Sequence, residues 1–134
     1  SRFKSDLVVS SATLEHVGSF KNQTKMIENI ITLSNKFFFI TTPYRFFPID
    51  YHTKIPFLHF LPKKLHRKIL SLIGLKEYAK EENLNLLDFR TVNKMISHQT
   101  NKDFEIKILN VKLFGLISNI LLVGKKINLW FSQL

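Results

Sequence analysis

Glu15 and His16 are neighbours that can pass a proton or hold a metal ion near neutral pH. They close the stretch "SDLVVSSATLEHV" at residues 5–17, in which the apolar run Leu7-Val8-Val9 leads into small hydroxyl residues. The pattern reads as a buried strand entering a loop that carries an acid–base pair. Two roles stand open for the pair: acid, base or metal ligand at a strand end, or capping and orienting the loop that follows. Three further histidines, His52, His59 and His66, recur every seven residues, a spacing that would align them on a helix. Pro56 and Pro62 forbid a continuous helix there, and the sequence has no HExxH pattern, so no zinc site is expected from the spacing. His52 or His59 could instead reach a substrate from a lid. Tyr44, Phe46, Phe47, Tyr51, Phe57 and Phe60 supply aromatic surface for a pocket, or for packing an irregular segment. Zero cysteines exclude disulfides and Cys-based metal or redox sites. The sequence also lacks a Gly-rich phosphate loop, a Ser-His-Asp arrangement and a carboxylate pair of glycosidase type.

The elements that must position these residues follow from periodicity. Asp6–Ser10 is a short apolar run of buried-strand type, and Phe20–Asn35 reads as a helix with Phe20, Ile27, Ile30 and Ile31 on one side. "FFFITTP" is a second continuous apolar run, stopped by Pro43; such runs fit a parallel sheet covered on both faces. Residues 43–62 hold all four prolines, with aromatics and histidines between them, and predict an ordered but irregular connection. Pro62 and Gly74 bracket a helix with an apolar stripe of Leu65, Ile69, Leu72 and Ile73, and with Lys63, Lys64, Arg67 and Lys68 opposite. Asp88 suits the N-cap of a third helix that carries Phe89, Val92 and Ile96 toward the core. "FEIKILNV" at 104–111 alternates like a half-exposed strand, and "NILLVGKK" at 119–126 reads as a buried one. The order is α/β, closing on a two-strand hairpin-like end. Ligand sites of parallel strands joined by helices lie at the strand C-terminal ends, which here are Ser10–Val17 and Thr41–Arg45.

At 134 residues the chain is of single-domain size, and 45% hydrophobic against 22% charged residues speaks for a folded core over disorder. The net charge of +10 suits an anionic partner, nucleic acid or an anionic membrane, although an A/T-biased codon supply accounts for it equally well. The longest apolar run, 113–124, is broken by Ser118-Asn119 and falls short of the ~20 residues that span a bilayer. With no leader visible, a cytoplasmic protein, peripheral to a membrane at most, is expected.

Taken with this element order, the motifs resemble a known family. "SDLVVSSATLEHV" is similar to the fourth-strand segment of class I S-adenosylmethionine-dependent methyltransferases, an apolar strand followed by a loop ending Leu-Glu-His-Val. "KFFFITTPYRFFPIDYHTKIPFLHFLPKKLHRKI" resembles the fifth strand and following insert of a bacterial, type 11-like subgroup, and "SNILLVGKK" resembles the seventh strand. The resemblance implies a Rossmann-like sheet of order 3-2-1-4-5-7-6 with strand seven antiparallel, of which this chain supplies the C-terminal half, 4-5-7-6. Residues 1–134 would then form one partial domain with an insert or lid at about 43–75. No GxGxG loop is found, since the four glycines stand alone at 18, 74, 115 and 124.

By the same resemblance, Ser11, Ala12, Glu15 and His16 would contact S-adenosylmethionine at its methionine end. Tyr44, Arg45, His52 and His59 would face the substrate, a small-molecule or lipid-like acceptor, and His16 or His52 would take its proton. Some relatives carry Glu-x-x-Glu-His at this loop and bind a metal; Ala12 stands at the first Glu here, so no metal is expected. The implied partner is the N-terminal half of the same domain. A basic interaction module using Lys63–Lys68, or a degenerate non-catalytic half, are the competing readings. Strand four would lack its neighbour and expose unpaired backbone groups, so self-association through that edge, or cover by the tail "INLWFSQL", is expected.

Overall fold

The computed structural model describes residues 3–127 of the protein. Strand β1 (Ser5–Ser11) is followed by a single 3-10 turn at Leu14–His16, helix α1 (Phe20–Leu33) and strand β2 (Ser34–Pro43). An irregular connection containing a 3-10 turn at Leu58–Phe60 leads to helix α2 (Lys63–Leu72); helix α3 (Phe89–Ser97) and the hairpin β3 (Phe104–Leu113) and β4 (Leu116–Lys126) complete it. The sheet order is β1-β2-β4-β3, the 4-5-7-6 order that the motifs imply. β1 and β2 are parallel, with Val8 opposite Phe38 and Ser11 opposite Thr41, and α1 is their crossover. β4 runs antiparallel to both of its neighbours, β2 and β3.

Local sequence accounts for the element ends. The Ser19 hydroxyl caps α1 by accepting from the Asn22 amide, and the Asp88 carboxylate caps α3 by accepting from the Thr91 amide at 2.8 Å. α1 stops where Ser34 turns its hydroxyl back onto the Ile30 carbonyl and enters β2 directly. The two-strand hairpin-like end expected above is formed by β3 and β4; the apolar run at 113–124 holds its tip, where Phe114 and Gly115 both take positive φ, and most of β4.

Ile27, Ile30 and Ile31 of α1 and Val92 and Met95 of α3 pack with Phe38, Ile40, Ile120 and Leu122 of the sheet, all buried. Phe38 lies directly over its register partner Gly124, where a Cβ would stand 1.9 Å from the ring. The alternate positions present the other face, on which Leu7, Val9, Phe37, Leu109 and Val111 are exposed. The continuous apolar runs predict cover on both faces; among the described residues one face has it. A second difference concerns α2. Its buried residues are His66 and Leu70, while Leu65, Leu72 and Ile73 of the expected apolar stripe are exposed, Leu72 at 76%. Lys63 donates to the Asn85 side chain and Arg67 pairs with Glu81 at 3.2 Å, so two of the cations turn toward the protein.

Candidate active site

The geometry at the end of β1 starts with backbone. Ala12 takes φ 48°, a left-handed conformation costing a non-glycine residue about 1 kcal/mol, and its amide donates to the Thr41 carbonyl at 2.9 Å. That bend ends the strand and drops Leu14 and Glu15 into the interior, both at 0% exposure. The Glu15 carbonyl accepts from the Asn85 amide at 2.7 Å, and the Gln23 amide group ties the Leu14 and Asn85 carbonyls together. Asn85 also donates its side-chain amide to the Gly18 carbonyl, so the loop is clasped between α1 and the 83–87 segment.

Within that clasp Glu15 Oε2 accepts from the Thr42 hydroxyl at 2.8 Å, whereas buried Glu15 Oε1 has no hydrogen-bond partner among the described residues. Oε1 stands 3.8 Å from His16 Nε2 and 3.9 Å from His52 Nε2. The two imidazoles approach each other through those same nitrogens, at 3.1 Å. His16 Nδ1 faces the Asn83 carbonyl at 2.6 Å, and His52 Nδ1 faces Asp50 Oδ1 at 3.1 Å. Burial by itself would raise the Asp50 pKa. Hydrogen bonds from His52 and Thr53 outweigh burial and hold that carboxyl well below the ordinary carboxylate range. Asp50 is therefore an ionised acceptor that orients the His52 ring. Ala12, Glu15, His16, Pro43, Tyr51, His52 and Asn119 line a cleft of about 350 Å³ at the ends of the two parallel strands.

The sequence-derived candidates separate in space. Ala12, Glu15, His16 and His52 come together; the Ser11 hydroxyl instead lies 3.0 Å from that of Thr41. Tyr44 packs its ring against Phe46 and Phe89 and borders a neighbouring apolar cleft with Phe57 and Phe60. Arg45 donates to the His59 and Leu61 carbonyls, bracing the insert, and lines a small basic pocket with Lys63, His66, Arg67 and Tyr78. Burial lowers the Lys63 pKa, and the nearby Arg45 and Arg67 lower it further. His59 is 2% exposed, and its ring faces the Phe47 carbonyl at 2.7 Å. Thr42, Asp50, Asn83 and Asn85 escaped the sequence reading. Asp50 alone carried a signal, because Asp-Tyr-His-Thr is a sequence for a side-chain-capped turn, and its carboxylate accepts from the His52 and Thr53 amides.

No protein-family model matches the chain. No curated protein matches it either. Solved structures do match. Magnesium protoporphyrin IX methyltransferase from Synechocystis PCC 6803, solved with bound SAH, aligns at a TM-score of 0.51 and 14% identity over 94% of this chain and 46% of its own. An O-methyltransferase family protein from Burkholderia thailandensis gives 0.51 and 11% over 94% of this chain and 31% of its own. A chain of the Pnkp1/Rnl/Hen1 RNA repair complex gives 0.52 and 11% over 92% and 23%. The likeness establishes a fold shared with methyltransferases, and the chain spans less than half the length of the structures it matches.

Proposed function

We propose that this chain forms the acceptor side of an S-adenosylmethionine-dependent methyltransferase, acting together with an N-terminal half that carries the Gly-rich cofactor loop. The observation that carries this reading is the convergence of Glu15, His16 and His52 at the strand ends of a sheet with the methyltransferase order. The loop from Ser11 to His16 borders the methionine end of the cofactor. The acceptor, a small molecule or a lipid-like one, enters over Tyr51 and His52, with Tyr44 and Arg45 on its outer side. The transfer is an in-line displacement: the acceptor oxygen bonds the methyl carbon as the carbon–sulfur bond breaks and the sulfonium becomes a neutral thioether. Most of the rate comes from alignment. The acceptor's proton goes to Nε2 of His52 or His16, and the buried Glu15 carboxylate stabilises the resulting imidazolium.

The test follows backbone amide shifts in a chain extended upstream through the Gly-rich motif. Adding S-adenosylmethionine should shift the amides of Ser11–His16, and a shift pattern that spares this loop contradicts the placement. A second reading, docking on an anionic membrane, draws on α2, where Lys64 and Lys68 are exposed beside the outward Leu65 and Leu72. Lys64→Glu with Lys68→Glu should then abolish binding to anionic vesicles. Absence of vesicle binding in the unsubstituted chain removes this reading, and the same comparison with oligonucleotides covers nucleic acid.

A further inference from the structure

Three side-chain atoms able to bind a cation converge in this site: Glu15 Oε1, His16 Nε2 and His52 Nε2. The Asn83 carbonyl can only accept and faces His16 Nδ1 at 2.6 Å, and Asp50 Oδ1, which accepts from the His52 amide, faces His52 Nδ1 at 3.1 Å, so each ring turns its Nδ1 to an acceptor. Nε2 of each ring is thereby left for the site itself, and the two Nε2 atoms face each other at 3.1 Å. Glu15 Oε1, buried and without a hydrogen-bond partner among the described residues, stands 3.8 and 3.9 Å from the same two nitrogens. Glu15 is buried while His52 is 14% and His16 38% exposed, and a buried carboxylate oxygen that faces two ring nitrogens and no donor is costly unless a cation sits among them.

We infer that Glu15, His16 and His52 bind a divalent transition-metal ion of the zinc class. Their ligand atoms all lie within 4.8 Å of one another. Zinc–nitrogen bonds of about 2.0–2.1 Å place two ligands of a tetrahedron about 3.4 Å apart, so shifts of roughly half an ångström complete the site. Two imidazoles and one carboxylate form a donor set that suits zinc and also iron(II) or manganese(II), with at least one position left for water or an acceptor oxygen. That position opens on the cleft lined by Pro43, Tyr51 and Asn119. The Nδ1 partners, a backbone carbonyl and a carboxylate, are the usual outer supports of metal-bound histidine. The absence of a glutamate at position 12 argued against a metal. The third ligand comes instead from the insert, 36 residues after His16.

The inference goes beyond methyl transfer and does not rest on it, because the ion is measured without cofactor or acceptor. The proton route through His52 or His16 Nε2 belongs to the ion-free site; with an ion bound those two atoms would be ligands, and the ion would lower the pKa of an acceptor oxygen it held. The experiment titrates the chelator-treated chain with Zn2+ by calorimetry and with Co2+ by visible absorption, alongside Glu15→Gln, His16→Ala, His52→Ala and Asp50→Asn. His98→Ala serves as a surface control, and circular dichroism verifies that each variant is folded. The expected result is one equivalent of ion bound, ligand-field bands of a low-symmetry cobalt site, and loss of both in the three ligand variants. Asp50→Asn, which would not touch the ion, should weaken binding by about 10–100-fold, and His98→Ala should leave it unchanged. Ion binding that survives in Glu15→Gln and His52→Ala overturns the inference. So does a folded unsubstituted chain that takes up neither ion and shows instead, by nitrogen-15 shifts, one proton shared between His16 and His52.

Discussion

Glu15 is held by one hydroxyl. Thr42 is 1% exposed and gives Glu15 Oε2 its donor, and no other described residue is hydrogen-bonded to that oxygen. Thr42→Val keeps the shape and removes the donor, leaving a buried carboxylate with both oxygens unpartnered in the metal-free chain. The expected loss is about 1–3 kcal/mol, read as a lower denaturation midpoint in urea with chelator present and an unchanged slope. An unchanged midpoint would mean that Glu15 is solvated in solution. Glu15 and His16 were legible because they follow an apolar strand. Their supports were not, because Thr42, Asn83 and Asn85 act through contacts 27 to 70 positions away in sequence, several of them to backbone atoms that every residue possesses, and Asp50, though two positions from His52, acts on the site only through that ring. His52 was legible as a candidate; its partnership with His16 was not.

Among the elements, the sheet was the easiest to read, since three apolar runs and one alternating run correspond to its four strands. Gly124 carries a constraint that hydropathy cannot reveal: the Phe38 ring occupies the space a side chain would fill. Gly124→Ala should therefore cost about 1–3 kcal/mol through overpacking, and Phe38→Leu in the same chain should restore part of it. Equal stability of Gly124→Ala and the unsubstituted chain in thermal unfolding would contradict the packing described. α2 shows where reading stopped. Periodicity divides a helix into faces but does not say which face turns inward. Here the inward face carries His66 and Leu70 with Lys63 and Arg67 beside them, because Asn85 and Glu81 offer those cations partners. A stripe of leucine and isoleucine is left outside.

At the scale of the whole molecule, an apolar sheet face and a strand edge lack cover among the described residues. β1 pairs with β2 alone among the described residues, and its Leu7 and Val9 side chains are 47% and 62% exposed. The tail "INLWFSQL", suggested as cover, lies outside the described residues apart from Ile127. An exposed apolar edge strand invites pairing with another chain. The chain by itself should sediment with increasing apparent mass as its concentration rises, and Val9→Lys should reduce that tendency without unfolding it. A strict monomer across the accessible range would contradict this. The measurement closest to the central claim is calorimetric titration with S-adenosylmethionine of two proteins: these 134 residues, and the chain extended upstream through the Gly-rich half. The account predicts binding by the extended chain and weak or no binding by the 134 residues alone. Nanomolar binding by the 134 residues, or none by a folded extended chain, would contradict it.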